Sequence, residues 1–281
     1  MEPRIVYLDT NVYDRICKSG ILLQDALFAM QSAIDEGLIS IPISAHVLEE
    51  IASAIESAPH AVGPQLALVA RLADRTRILC DPRTMLEQDV MRYAKGRKSL
   101  SPFTTNTQAR DAVVHLLDQD CPSSKLLQIA DDCRRSKEFF NRTMAQAKER
   151  NLELLETWSG DLPTFAEFWH VAAPRLAEDM AQQMGVLAEC KRRGILRVLE
   201  LRSVRLRIGM LASLDYAQNM EGCKPKAGDS RDTLHAVCAS AADVFVTEDR
   251  HYAKLLRRIP EAGFRVLSLS EFAAELRLLT L

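Results

Sequence analysis

One stretch near the start of the chain constrains the fold more than any other: the largely apolar run Arg4–Leu8, which ends at the lone carboxylate of Asp9. The apolar residues follow one another without alternation, which is typical of a strand buried on both faces inside a parallel sheet. Ligands of open α/β sheets bind in the crevice at the carboxyl ends of the strands, where Asp9 would lie. An Asp at this point could equally cap the next helix, so the rest of the chain has to decide its role.

The composition is that of an ordinary soluble globular protein. The chain has 281 residues, of which 47% are hydrophobic and 26% charged, enough for one large domain or two small ones. No apolar run approaches the roughly 18 residues that a membrane span requires. The seven cysteines are scattered, with no CxxC pair, which favours reduced thiols over disulfides or zinc. Because Met1–Pro3 leads directly into the first strand, we expect no signal peptide, no membrane association and a cytoplasmic location.

The order of apolar and helical patterns divides the chain into three segments. Residues 1–82 show a βααβααβ pattern with strands at 4–8, 38–43 and 77–80, and residues 229–281 add strands at 243–247 and 263–267. Residues 83–228 show no clear strand. Helical stretches in that segment are predicted at Met85–Arg97, Thr107–Asp118, Ser123–Asn151, Thr164–Gly194 and Ile195–Met220. We therefore predict a three-layer α/β/α domain with a central, mostly parallel five-stranded sheet and a large all-α insertion.

Two adjacent acids lie on the helix that follows the second strand, with Ser44 as its expected N-cap. At 100° per residue, Glu50 lies at the border of the apolar stripe of this helix, and Glu49 lies nearly opposite it. We expect Glu49 to face solvent. Glu50 could be a site residue or could form a surface ion pair.

Acids also mark the last segment of the chain. Asp229 and Asp232 stand at the start of a helix, where carboxylates satisfy free amides and favour the helix dipole. Asp249 follows the strand at 243–247 and could likewise be only a cap. If that strand lies beside the first strand in a parallel sheet, however, Asp249 and Asp9 meet at one edge.

Four carboxylates from distant segments, those of Asp9, Glu50, Asp232 and Asp249, would then share one crevice. Such a cluster repels itself unless cations bind to it. Oxygen ligands suit Mg²⁺ or Mn²⁺, and two such ions about 4 Å apart can promote phosphodiester displacement.

The charged residues are unevenly distributed. The two ends, 1–81 and 229–281, carry a net charge of −6, and residues 82–228 carry +4. Within 191–207 a single acid, Glu200, accompanies seven basic residues: Lys191, Arg192, Arg193, Arg197, Arg202, Arg205 and Arg207. This run is either a solvated face or a nucleic-acid-binding surface that contacts phosphates.

Four sequence blocks resemble the PIN-domain nucleases, over about 1–81 and 229–281. The blocks are Val6–Asn11, Ser44–Ile51, Asp232–Ala236 and Ala242–Asp249, the last with its strand ending in Thr247-Glu248-Asp249. The resemblance implies a metal-dependent endoribonuclease that hydrolyses RNA through ions held by Asp9, Glu50, Asp232 and Asp249. It also implies that Asn11 and Thr247 orient a metal-binding carboxylate or the attacking water.

Several alternatives stay open. His235, one turn beyond Asp232, could reach the site, but a packing role inside its helix is the favoured interpretation. The helical segment 83–228 departs from compact PIN proteins and could bind a second copy of the chain or another protein. The chain could also be a non-catalytic RNA-binding or scaffold protein, or a structure-specific DNA nuclease with Asp229 or Asp243 as a further acid. A haloacid-dehalogenase-type phosphatase is disfavoured because Asn11 stands where that family has a second Asp.

Overall fold

A computed structural model describes residues 2–19, 23–117, 124–135, 138, 162–224 and 228–279. The protein is a mixed α/β structure, mostly helical, with a small parallel sheet. No helix among these residues is long and apolar enough to cross a membrane.

The first strand, β1 (Arg4–Leu8), lies inside a four-stranded sheet, as its apolar pattern predicts. The other strands are β2 (Ile39–Ser40), β5 (Val244–Val246) and β6 (Arg265–Leu267), and the order is β2-β1-β5-β6 with every pairing parallel. Leu8 pairs with Val246, so β1 and β5 end side by side. The prediction of a parallel sheet with these two strands as neighbours is therefore confirmed.

The second predicted strand divides into two at Ile41, and the sheet therefore differs from the predicted five-stranded one. After β2 the chain leaves β1, and β3 (Pro42–Ile43) pairs in parallel with β4 (Asp74–Ile78) in a separate two-stranded ladder. Proline cannot donate a backbone hydrogen bond to a neighbouring strand, so it is confined to edge strands, strand starts or bulges. In agreement, the register of the β3–β4 pairing shifts between Pro42 and Ile43. β4 also begins and ends earlier than the predicted strand at 77–80.

Helices account for most of the remaining chain. In the first part they are α1 (Thr10–Ser19), α2 (Gln24–Asp35), α3 (Ala45–Ser53), α4 (Pro59–Leu72), α5 (Pro82–Ala94), α6 (Thr107–Leu117) and α7 (residues 124–135). In the second part they are α8 (Phe165–Gln183), α9 (Leu187–Arg193), α10 (Arg202–Asn219), α11 (Asp229–Cys238), α12 (Arg250–Arg258) and α13 (Leu269–Leu279), with short 3₁₀ turns at Ile195–Glu200 and Ala239–Ala241. Residues 139–151 of the predicted stretch Ser123–Asn151 lie outside the described residues.

The helical segment and the sheet share their cores. Leu206, Met210 and Leu214 of α10 are essentially fully buried in the same core as the sheet residues Tyr7 and Phe245. Burying each such aliphatic side chain contributes about 1.5–3 kcal/mol. A second core is formed mainly by α5, α8 and α10, and Val237 of α11 packs into it. α10 and α11 therefore tie the long helical segment to the helix that carries Asp232.

Candidate functional site

The site lies at the carboxyl edge of the sheet, where β1 and β5 end together. Asp9 directly follows β1, and its backbone amide donates to the Val246 carbonyl of β5 at 3.0 Å. Thr247 directly follows β5, and Asp249 lies two residues further along the chain. Two helices bring further side chains to the same edge: α3 carries Glu50, and α11 carries Asp232 and His235.

Asp9 is a buried, fully oriented carboxylate. Its side chain is nearly inaccessible, with 5% of the residue exposed. Thr247 Oγ1 and Asn11 Nδ2 both donate to Asp9 Oδ2, at 2.7 and 2.6 Å, and the Thr10 amide donates to Oδ1 at 2.7 Å. An N-capping Asp accepts from the second or third amide of its helix, whereas Asp9 accepts from the first amide of α1. Its geometry is thus that of an acid held in place by neighbouring side chains.

Asn11 and Thr247 also connect β1 to the loop after β5. Asn11 Oδ1 accepts the Glu248 amide at 2.9 Å, and Thr247 Oγ1 accepts the Asp249 amide at 3.1 Å. Asn11 Nδ2 lies 3.1 Å from Thr247 Oγ1 as well. These bonds fix the two strand ends relative to each other, with the Asp9 carboxylate between them.

Glu50, rather than Glu49, reaches this cluster. Thr10 Oγ1 donates to Glu50 Oε2 at 2.5 Å, and the Arg231 guanidinium lies 3.4 Å from Glu50 Oε1. Glu49 was expected to face solvent, but it is half-buried and lines a neighbouring cavity. Ser44 caps α3 as predicted, since its Oγ accepts the Val47 amide at 3.5 Å.

His235 is the site residue whose position the sequence interpretation missed. Its ring is 1% exposed, its Nε2 lies 2.7 Å from Glu50 Oε2 and 3.7 Å from Asp9 Oδ1, and its Nδ1 lies 2.8 Å from the Tyr7 hydroxyl. The sequence interpretation favoured a helix-packing role and left open that His235 could reach the site, and the structure places its ring beside Glu50 and Asp9. Its position three residues after Asp232, on the same face of α11, was the available signal.

Asp9, Glu50 and His235 form a compact set. One ligand atom from each lies within 4.8 Å of the other two. Adjacent ligands of an octahedral divalent ion with bonds of about 2.1 Å are about 3.0 Å apart, which is close to the 2.7 and 3.7 Å from His235 Nε2 to Glu50 Oε2 and Asp9 Oδ1. Carboxylate oxygens with an imidazole nitrogen suit Mn²⁺ and other transition metals; carboxylates alone also suit Mg²⁺.

Asp232 and Asp249 lie close to this set without belonging to it. Burial raises the pKa of Asp232 to about 8, helped by the negative charges of Asp9, Glu50 and Asp249. Asp249 Oδ1 accepts the His251 and Tyr252 amides at 2.7 and 3.0 Å, so Asp249 caps α12. All four predicted acids are thus near one another, and Asp249 already has a structural role.

The two other acids considered in the sequence occupy different places. Asp243 precedes β5, at the opposite end of that strand from Thr247, and its Oδ2 accepts the Ile5 amide at 2.8 Å. Asp229 is buried, and the Gln218 side chain lies 3.5 Å from its Oδ2. Asp243 therefore cannot supply an additional ligand at the edge where Asp9 lies.

The acids of the cluster and His235 shift one another's pKa. Burial favours a neutral imidazole, but the charge and hydrogen bond of Glu50, with Asp9 and Asp232, raise the pKa of His235 to about 9. Burial also opposes ionisation of Glu50, yet the charge and hydrogen bond of His235 hold the pKa of Glu50 well below its usual range. Burial raises the pKa of Asp9 against the opposing charge of His235. Glu50 and His235 thus shift each other's pKa in opposite directions.

The seven basic residues of 191–207 do not form one surface. Lys191, Arg192 and Arg197 are exposed and pair with Glu178, Glu189 and Glu200, respectively. Three arginines instead bind backbone carbonyls: Arg193 donates to Ala94, Arg202 to Ala242 and Ala262, and Arg205 to Leu199 and Glu261. Arg207 alone turns towards the acidic site, where it lines the cavity that Glu49 also lines.

No protein-family model matches the chain, and neither a curated protein nor a solved structure matches it.

Proposed function

We propose that this protein is a metal-dependent endoribonuclease with a three-layer, PIN-like α/β/α domain. The observation that carries the proposal is the meeting of Asp9, Glu50 and His235, from three distant parts of the chain, within 4.8 Å at the carboxyl edge of a parallel sheet. Ligands of such sheets bind at this edge. Buried acids gathered from separate elements cost stability, which is more readily explained by a site that binds a cation than by packing.

Asp9, Glu50 and His235 would hold the ion, with Asp232 as a further carboxylate beside it. Bound Mg²⁺ or Mn²⁺ supplies Lewis-acid activation of water and stabilises negative charge on the phosphate during hydrolysis. The protein's own residues supply orientation. Thr247 and Asn11 occupy Asp9 Oδ2, which leaves Oδ1 as the oxygen nearer to His235.

The Tyr7 hydroxyl would orient the His235 ring, as Thr247 and Asn11 orient the Asp9 carboxylate. Its hydroxyl contacts Nδ1 at 2.8 Å and Ser44 Oγ at 3.4 Å. A metal-binding histidine uses one ring nitrogen for the ion, and a hydrogen bond at the other nitrogen fixes the ring and its tautomer. Nε2 faces Asp9 and Glu50 and would bind the ion in place of its present contact with Glu50 Oε2. Because nitrogen donors favour transition metals, we expect Mn²⁺ to support activity better than Mg²⁺.

The test compares wild type with Asp9→Asn in cleavage of single-stranded RNA with Mn²⁺. We expect the variant to lose at least about 100-fold in rate, since it removes a charged ligand at the centre of the site. Asp35→Asn, an exposed position on α2, is the matched control and should cleave like wild type. If wild type does not cleave RNA, or if Asp9→Asn cleaves as fast as wild type, the proposal is wrong. RNA binding without cleavage would instead favour a non-catalytic RNA-binding protein.

A further inference from the structure

A cavity of about 850 Å³ adjoins the acidic cluster. Its wall includes Glu49 of α3 and Arg231 of α11, which are next to Glu50 and Asp232 in the sequence. The opposite wall belongs to the long helical segment, with residues from α5, α7, α8 and α10. The described helices of this segment therefore form one side of the space beside the site. This volume lies within the range of small-ligand sites and exceeds that of a single phosphate.

Four arginines line this cavity: Arg83, Arg135, Arg207 and Arg231. Arg207 NH1 donates to the Thr233 hydroxyl, and no carboxylate of the described residues pairs with this guanidinium. Burial and the nearby positive charge of Arg83 lower the pKa of Arg207 to about 10. An anion in this cavity would be attracted by the guanidinium groups that line it.

The acids of the cavity only partly offset this charge. Asp81 Oδ1 accepts the Arg83 and Thr84 amides at 3.0 and 2.9 Å, so it caps α5. Glu49 and Asp132 also line the cavity, so three acids face four arginines. Because Asp81 takes the first amides of α5, the arginine side chains, rather than that helix end, are the donors for an anion.

The apolar residues that line the cavity suit the base of a nucleotide. Leu86, Met180, Met184 and Leu234 give the cavity an apolar portion. Guanidinium groups bind phosphate oxygens with two parallel hydrogen bonds, and apolar side chains pack against the face of a base. Arg231 also lies 3.4 Å from Glu50, so a phosphate on this arginine would be next to the proposed metal site.

We propose that this cavity binds one nucleotide of the RNA strand, its phosphate held by Arg207, Arg83 and Arg231, beside the bond that is cut. This inference rests on the proposed ribonuclease function and adds the place where the strand is held. Of the seven basic residues of 191–207, only Arg207 would contact the substrate. The other six form surface ion pairs or donate to backbone carbonyls.

The experiment measures binding of a short labelled single-stranded RNA to the full-length protein in EDTA, where no cleavage interferes. We expect Arg207→Gln and Arg83→Gln each to raise the Kd for RNA about tenfold. Each should also reduce the slope of log K against log salt concentration by about 0.7, which is the value for one lost phosphate contact on a single strand. Arg71→Gln, an exposed arginine of α4 outside this cavity, is the matched control and should bind RNA like wild type. Thermal unfolding checks the fold of each variant. Arg83 is exposed, so its variant decides the result if Arg207→Gln is destabilised.

Cleavage of the same RNA with Mn²⁺ separates this proposal from the function on which it rests. If wild type cleaves RNA and both arginine variants bind it as tightly as wild type, the cavity assignment alone is wrong. If wild type neither binds nor cleaves RNA, both proposals fail. If inorganic phosphate displaces the RNA completely at concentrations near the RNA Kd, the cavity binds a free phosphate compound, and the RNA assignment is overturned.

Discussion

Thr247→Val tests whether the hydroxyl at the end of β5 holds the Asp9 carboxylate. Valine keeps the branched shape of threonine and replaces the hydroxyl with a methyl group. That hydroxyl donates to Asp9 Oδ2 at 2.7 Å and accepts the Asp249 amide at 3.1 Å, in a position that is 3% exposed. Water therefore cannot easily replace either bond.

The magnitude follows from the two bonds that are lost. A hydrogen bond to a charged group contributes about 1.5–3 kcal/mol, and one between neutral groups about 1 kcal/mol. Asn11 Nδ2 still donates to Asp9 Oδ2 at 2.6 Å, so the lower part of the first range applies. We expect Thr247→Val to lower the free energy of unfolding by about 2–3 kcal/mol at pH 7 without metal.

Urea unfolding followed by circular dichroism measures this difference. The midpoint should fall while the slope m stays unchanged, because the variant exposes no additional surface on unfolding. Thr105→Val, at an exposed position before α6, is the control and should shift the free energy by no more than about 0.5 kcal/mol. A loss below about 0.5 kcal/mol for Thr247→Val would refute the view that its hydroxyl satisfies a buried charge.

Three further substitutions test the orientation of the site and its support by the helices. Tyr7→Phe removes the hydroxyl that contacts His235 Nδ1, so Mn²⁺ affinity measured by isothermal titration calorimetry should fall about 10–100-fold; unchanged affinity would show that the hydroxyl does not orient the ring. Leu206→Ala should lower the free energy of unfolding by about 2–5 kcal/mol in urea titrations, because the side chain is fully buried in the core shared with the sheet; a loss under about 1 kcal/mol would contradict that packing. Asp249→Ala removes the cap of α12 and should cost about 1 kcal/mol by the same titration, whereas Asp249→Asn should recover most of that loss if capping is its main structural role.

The positions of Asp9 and Glu50 could be predicted because both follow from local periodicity. The unbroken apolar run before Asp9 indicated a buried parallel strand, and the acid after such a strand necessarily lies at its carboxyl end. Glu50 was preferred over Glu49 from the angle of 100° per residue, which any helix obeys. Both inferences need only the nearest few residues of the chain.

Other features depended on contacts that local patterns do not encode. The stretch at 38–43 looked like one strand, but Pro42 and the pairing with β4 divide it into β2 and β3. The basic run at 191–207 looked like one charged surface, yet Arg202 and Arg205 donate to carbonyls of distant segments. Charge density along a chain does not show which side chains have partners after folding.

The sequence by itself determined the parallel α/β character of the ends, the helical character of the middle and the acids that could meet at one sheet edge. These properties depend on hydrophobic period and on residue type. Only the tertiary structure decided that His235 lies beside Asp9 and Glu50, that Asp249 caps α12, and that α5, α7, α8 and α10 contribute a wall beside the site. Those outcomes depend on how α3, α10 and α11 pack together, and packing is set by the whole set of contacts rather than by any one segment.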